Sequence, residues 1–366
     1  MQRQLLFLPG PVSVAQSVLE GAARPMINHR GGEFAALLER VTTALQPIFG
    51  TSQEVVLLGS SGTGAMEAAV ANLFSPGERL LSCPVGNFGK RFGAIASSYG
   101  CVVETLETPL GAALDPRALH ARLESDPQRE IAGILLTHNE TSTGVACDMA
   151  AIAPIVRAHG AITLVDSVSG LAASEFRMDE WGYDAVVSAS QKGLAAPPGV
   201  AMVSLSERAW KSIASARLAR FYFDLARARQ SANDGQTPWT PPLSIIFALD
   251  VALARYHAQG MESAFERHAR FAEIVRAELL RTGFTLVSCD GAHSPTVVAA
   301  YPPPGIEPAA LLKRLRETHG IVLAGGLGDL HGKIVRFGTM GDVSEADVRR
   351  ALGAIETETR VISGVA

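Results

Sequence analysis

The sequence predicts an α/β protein, with a large domain on a mainly parallel seven-stranded sheet and a smaller α+β domain after it. Three observations carry this. Between residues 54 and 203, seven short apolar runs alternate with stretches of helical apolar spacing, the pattern of parallel strands covered on both faces by helices. A chain of 366 residues is too long for one small core, so two domains are the default. Beyond residue 281 the pattern changes to short strands with fewer helices.

The first seven strands are read at 54–58, 79–82, 101–106, 131–136, 162–165, 185–188 and 200–204, all rich in Val, Ile, Leu or Ala. Helical spacing fills 64–74, 90–99, 116–123 and 150–159 between them. A Pro-rich segment, Thr237-Pro-Trp-Thr-Pro-Pro242, interrupts the alternation, and a long helical region over 243–281 follows. The second domain is read as strands at 285–288, 296–301 and 333–337 with helices at 308–318 and 344–355. Ser344 is the N-cap of the last helix, with Asp347 three residues on. The expected organisation is an N-terminal arm over 1–18, a large domain over 19–245 and a small domain over 246–366.

Composition narrows the function classes. Hydrophobic residues make up 47% and charged residues 19%, so a buried interior is well supplied. With 32 basic and 36 acidic residues the net charge is −4, and neither nucleic acid nor an anionic membrane is an expected partner. The cluster Arg217, Arg220, Arg227 and Arg229, interleaved with Phe221, Tyr222 and Phe223, reads as a helical solvated face or a subunit contact. Cys83, Cys101, Cys147 and Cys289 are scattered without CxxC spacing, so no disulfide framework or zinc site is expected. The apolar start Leu5-Leu-Phe-Leu8 breaks at Pro9, unlike a signal sequence, and the last four residues match no address. No apolar run approaches the roughly 18 residues of a membrane span. A reducing cytoplasm is the expected location.

The chemistry gathers where strands end. Lys192 stands at the exit of the apolar run 184–189, and an ammonium there is costly to desolvate without compensation. A lysine so placed can hold an aldehyde cofactor and act as a base once released. Asp166 ends the run 161–166 in a carboxylate. Pyridoxal phosphate (PLP) needs this pair, an amine for the aldehyde and an acid for the pyridine nitrogen.

Leu58-Gly-Ser-Ser-Gly-Thr-Gly64 lies between a strand and a helix, where N–H groups with the Ser61 and Thr63 hydroxyls can cradle a phosphate. Glu67 stands where a dinucleotide fingerprint needs its third glycine, and no Gly-Lys-Ser/Thr closes a P-loop. Phe88, in a glycine-flanked turn, can stack on a flat ring. Val168 would face the same way as Asp166 if the strand continued. The string His138-Asn-Glu-Thr-Ser-Thr-Gly144 gives a further polar strand end, as expected for a ligand at the C-terminal edge of the sheet. Arg336, in a strand, is suited to a two-point grip on a carboxylate and is expected to face an open, wet cleft or to hold an anion from solution.

These residues resemble the class V, fold type I aminotransferases, in the branch of alanine–glyoxylate and serine–glyoxylate (serine–pyruvate) enzymes. The resemblance rests on Pro9-Gly-Pro, His29-Arg30, Ser61-Gly-Thr-Gly-Ala-Met-Glu67, Asn87-Phe-Gly-Lys-Arg91, the 137–144 string, Val165-Asp-Ser-Val-Ser169, Ser190-Gln-Lys-Gly, Ala196-Pro-Pro-Gly199 and Arg336-Phe-Gly. It implies that Lys192 is the Schiff-base lysine and proton shuttle, with Asp166 on the pyridine nitrogen, Phe88 stacked on the ring and Val168 beneath it. By the same resemblance Ser61, Gly62, Thr63 and Gln191 hold the phosphate, with Ser142 near the ring hydroxyl. Thr240 matches a threonine that reaches the partner subunit's phosphate, whereas Thr237 stands where some relatives carry Tyr. The resemblance also implies that Gly10 and Arg336 bind the substrate α-carboxylate. An obligate homodimer is implied, and 237–242 has turn chemistry with no obvious partner in its own domain.

The expected reaction is transamination between a small amino acid, alanine or serine, and a small 2-oxo acid, glyoxylate or pyruvate. Aminoethylphosphonate–pyruvate and ureidoglycine–glyoxylate aminotransferases are alternatives, as is a non-catalytic protein of this fold. A cysteine desulfurase needs a cysteine within 323–332, and there is none.

Overall fold

The computed structural model describes residues 4–364, so the first three residues of the arm and the last two of the C-terminal tetrapeptide lie outside it. The chain opens with β1 (Leu5–Phe7), α1 (Gln16–Ala22) and α2 (Gly32–Phe49). Alternation then sets in: β2 (Val55–Leu58), α3 (Gly62–Leu73), β3 (Arg79–Ser82), α4 (Asn87–Ser98), β4 (Val102–Thr105), α5 (Pro116–Glu124) and β5 (Ile131–Thr137). A short hairpin, β6 (Asn139–Glu140) with β7 (Val145–Ala146), precedes α6 (Met149–His159), β8 (Ile162–Asp166), α7 (Met178–Trp181), β9 (Ala185–Ala189) and β10 (Ala201–Leu205).

Seven of these strands form one sheet in the order β2-β10-β9-β8-β5-β3-β4. All neighbours are parallel except β10, which runs antiparallel to both β2 and β9. Successive side chains of a strand point to opposite faces, and the sheet separates two apolar cores accordingly. Leu57, Leu81, Leu136, Val165, Val186 and Met202 enter one core. Their neighbours Val56, Leu80, Leu135, Leu164, Val187 and Val203 enter the other. Both faces being buried explains why these strands read as continuous apolar runs.

The remainder comprises α8 (Glu207–Ser212), α9 (Leu225–Asn233), α10 (Leu243–Gln259), α11 (Met261–Arg281), β11 (Thr285–Leu286), β12 (Val297–Tyr301), α12 (Pro308–His319), β13 (Ile321–Gly325), β14 (Val335–Gly338) and α13 (Glu345–Ser363). A second sheet has the order β1-β13-β14-β12-β11. Its edge strand β1 comes from the N-terminal arm and pairs in parallel with β13 through Leu5↔Ile321 and Phe7↔Leu323. Phe7 is fully buried there against Phe337. The Ser344–Asp347 capping box forms as the spacing predicts.

Three local readings change. The helical region over 243–281 is broken at Gly260, whose φ of 87° and ψ of 142° no helix accommodates. Before the break α10 packs into the large-domain core, and after it Phe271, Val275 and Leu279 of α11 pack into the small-domain core. The basic cluster is not one helical face, because Asp224 caps α9 only from Leu225 onward. Arg217 and Arg220 precede that helix, and the Arg220 guanidinium donates to the carbonyls of Ala71, Ile213 and Ala216. The segment 237–242 does have partners in its own chain. Arg30 donates to the carbonyls of Thr237 and Pro238, and the Trp239 indole donates to the carbonyl of Tyr222.

Gly260 has open space around it, its nearest neighbour being Ser263 Oγ at 3.9 Å from where a Cβ would stand. Gly260→Ala therefore isolates the backbone cost of a positive φ, and a loss of about 1–3 kcal/mol is expected. Urea unfolding of the variant checks this, and an unchanged midpoint would mean the turn relaxes freely.

Candidate active site

Parallel strands deliver their C-terminal ends to one edge of the large sheet, where loops are free to carry polar groups. Lys192 leaves β9 in a tight turn and is only 9% exposed. Its Nζ donates to the Pro9 carbonyl at 2.6 Å. Gly10 is pressed against it, since a Cβ there would stand 2.6 Å from Nζ, and its φ of 135° also demands glycine. Burial pulls the Lys192 amine down to about 8, while the Asp166 carboxylate resists the fall.

Asp166 closes β8 and is 4% exposed. Its Oδ1 accepts the Val168 N–H at 2.9 Å. Burial pushes its carboxyl up to about 6, against that hydrogen bond and the Lys192 charge. The strand does not continue to Val168, which is brought into place by a turn. It lies under the β2–α3 loop, for a Cβ on Gly62 would be 2.6 Å from its Cγ2.

That loop has the makings of a phosphate cradle. Ser61 is the N-cap of the twelve-residue α3, yet its hydroxyl makes no capping bond. Gly62 and Thr63 occupy the first turn, where N–H groups lack helical partners and favour an anion. Thr63 Oγ1 accepts from Arg91 Nη1 at 3.1 Å. Gln191 Oε1 is buried with no protein partner, an orphaned group of the kind a buried ligand satisfies.

Phe88 stands not in a turn but in the first turn of α4, with the Arg91 guanidinium 4.6 Å from its ring centroid. Ser142 is buried beside it and its Oγ accepts the Asn87 N–H at 2.9 Å. Arg336 sits in β14 between Ala299 and Ala324 of the neighbouring strands. It does not face an open cleft, being 6% exposed, because Nε donates to the Gly325 carbonyl at 2.7 Å and Nη1 to the Thr141 carbonyl at 3.1 Å. Burial lowers its pKa while the Glu140 charge counteracts that. Thr240 is exposed and makes no hydrogen bond to the 61–63 loop of its own chain. Among the described residues, no group of three His, Cys, Asp or Glu side chains has metal-binding geometry, and no helix is long and apolar enough to cross a membrane.

A family model described as "Aminotransferase class-V" matches residues 15–349, nearly the whole chain. The chain belongs to the class V aminotransferases. It is thus a PLP-dependent aminotransferase of fold type I. A Synechococcus protein named soluble hydrogenase, small subunit, is 39% identical over 97% of this chain and 92% of its own length. An L-aspartate–glyoxylate aminotransferase of Paracoccus denitrificans is 34% identical over 98% of this chain and 91% of its own. The crystal structure of an alanine–glyoxylate aminotransferase from Nostoc superposes with a TM-score of 0.93 at 30% identity, covering 98% of this chain and 95% of that one.

The residues fit PLP. A single phosphate suits the α3 N-terminus with the uncommitted Ser61 hydroxyl and the orphaned Gln191 oxygen. A buried carboxylate at Asp166 and a buried amine at Lys192 match the ring nitrogen and the aldehyde. Sequence reasoning missed the Pro9 carbonyl and the placement of Arg91. The Asn-Phe-Gly-Lys-Arg spacing held a signal for Arg91, since positions 88 and 91 share a helix face.

The lowered Lys192 pKa has a direct consequence. Only the neutral amine attacks an aldehyde, so the rate of covalent PLP capture by the cofactor-free enzyme should rise with pH and level off near 8, where an ordinary lysine would climb past 10. Stopped-flow absorbance across pH 6–10 measures it, and Lys192→Ala should show no covalent phase.

Proposed function

We propose that this aminotransferase moves an amino group between a small amino acid, alanine or serine, and glyoxylate or pyruvate. The observation that carries the reading is Arg336. A guanidinium from the small domain, steadied by the Thr141 carbonyl, lies close enough to lower the Lys192 pKa by its charge. An α-carboxylate gripped there holds its α-carbon toward that amine. On the other side the Gly10 backbone packs against Lys192, which suits a compact substrate whose carboxylate Gly10 also contacts.

PLP, when bound, supplies the electron sink for negative charge at the substrate α-carbon. Lys192 holds the aldehyde and, once released, carries the α-proton. Asp166 keeps the pyridine nitrogen protonated, and Phe88 and Val168 enclose the ring. Ser61, Gly62, Thr63 and Gln191 hold the phosphate, and Ser142 approaches the ring hydroxyl. The relative that uses aspartate, identical at 34% of positions, supports a second reading with aspartate as donor.

We further propose a homodimer in which Thr240 reaches the partner subunit's phosphate. Thr240 is exposed beside a surface cluster in which Phe221, 68% exposed, and Tyr222, 48% exposed, stack on Trp239. Exposed aromatics gathered in this way mark interaction surfaces. The four unpaired cysteines suit a reducing compartment such as the cytoplasm.

A panel of alanine, serine and aspartate against glyoxylate and pyruvate tests the substrate class. Arg336→Lys keeps the charge but loses the planar fork, so KM should rise about 10- to 100-fold for donor and acceptor alike, equivalent to about 1.5–3 kcal/mol. Unchanged KM values would move the carboxylate role elsewhere. Sedimentation should give a dimer, and Thr240→Ala should weaken PLP retention. A fully active monomer would remove Thr240 from the site.

A further inference from the structure

Glu140 is the most completely buried charged group near the site, with no exposed surface, and the roles above leave it unused. No Lys, Arg or His forms an ion pair with it among the described residues. Taking a carboxylate out of water costs several kcal/mol unless other bonds replace its hydration. Here four do. Oε2 accepts the N–H groups of Phe88 at 3.0 Å and Gly89 at 3.1 Å. Oε1 accepts the Ser142 N–H at 2.9 Å and the Ser142 hydroxyl at 2.7 Å. The same hydroxyl accepts the Asn87 N–H at 2.9 Å, closing the ring of contacts. Gly86 leaves the room this needs, for a Cβ there would stand 2.4 Å from Glu140 Cγ and 2.6 Å from Ser142 Oγ.

The geometry points to Glu140 as a positioning residue that fixes Phe88 and Ser142 relative to each other, and so sets the plane in which the cofactor ring lies. The inference rests on the roles proposed above for Phe88 and Ser142. Its physical basis is that one rigid carboxylate spans two elements far apart in sequence, the first turn of α4 and the β6–β7 hairpin. Both oxygens are saturated by these donors, so Glu140 acts through its neighbours and not on the substrate. An anion also suits the N-terminus of a twelve-residue helix. Its charge has a second effect. Lys192 feels Asp166 and Glu140 as anions and Arg336 and Arg91 as cations, and Glu140 favours the protonated form.

Two substitutions separate position from charge. Glu140→Gln keeps the shape, but its amide cannot accept at both sites and the charge is lost. Gly86→Ala keeps the charge and displaces the carboxylate. Three quantities are measured on the reconstituted protein: the PLP dissociation constant, the circular dichroism of the cofactor band, and the pH at which the lysine–cofactor chromophore titrates.

Glu140→Gln should raise the dissociation constant by about ten-fold or more, weaken the dichroism and lower the titration midpoint. Gly86→Ala should reproduce the first two and leave the midpoint in place. Wild-type affinity and dichroism in Glu140→Gln overturn the inference. If that variant fails to fold, wild-type values in Gly86→Ala overturn it instead. A chromophore that survives Lys192→Ala would overturn the underlying site reading, whereas its loss there with an unaltered Glu140→Gln defeats only the positioning role.

Discussion

The site depends on holding an amine and a carboxylate together where water is scarce. Lys192 and Asp166 are both more than nine-tenths buried at the ends of adjacent parallel strands. Desolvation pushes each toward its neutral form, and their mutual attraction opposes that. The two effects leave the amine titrating near 8 and the carboxyl near 6. Between those values a carboxylate faces an ammonium that gives up its proton far more readily than a surface lysine does. Strand pairing sets this arrangement, with Asp166 opposite Val187 and the lysine leaving the same strand five residues later. Side-chain flexibility alone would not keep two such groups in register.

Around that pair most buried polar groups have partners, the side-chain oxygens of Gln191 and Asn139 being exceptions. The segment from Thr137 to Thr143 is buried throughout, although every side chain in it is polar. His138 bonds the Ser167 hydroxyl at 2.7 Å, and burial drives its pKa down to about 4, so it stays neutral. Asn139 reaches Ser169 at 2.8 Å in the large domain and Thr296 at 2.9 Å in the small one. With the Arg336–Thr141 contact, this one hairpin ties both domains to the sheet edge. Such networks specify a single arrangement because a misplaced member leaves a buried group unpaired.

The inner strands of the large sheet were legible because both faces are buried, so each reads as an apolar run, whereas the edge strand β4 is partly exposed and was legible from Val102 and Val103 alone. The antiparallel sense of β10 was not legible, as apolar runs carry no direction. Strands β1 and β13 escaped because one has three residues and both draw their meaning from pairing 316 positions apart. Within the site, Lys192 and Asp166 stood out since a charge ending an apolar strand is anomalous. Glu140 lay inside a conspicuous string, but its bonding partners at 88 and 89 are over 50 residues away and nothing local marks them. The burial of Arg336 was misjudged for the same reason. The backbone carbonyls that receive it, at Gly325 and Thr141, are invisible in a list of side chains.

The N-terminal arm behaves mechanically as a leash. Phe7 is fastened in the small sheet, and two residues later the Pro9 carbonyl holds the Lys192 amine. Two residues of fully extended chain reach about 7 Å at most. While both fastenings hold, this edge of the small sheet stays beside the lysine, and an amine taken up by an aldehyde would let the Pro9 carbonyl go and slacken the leash.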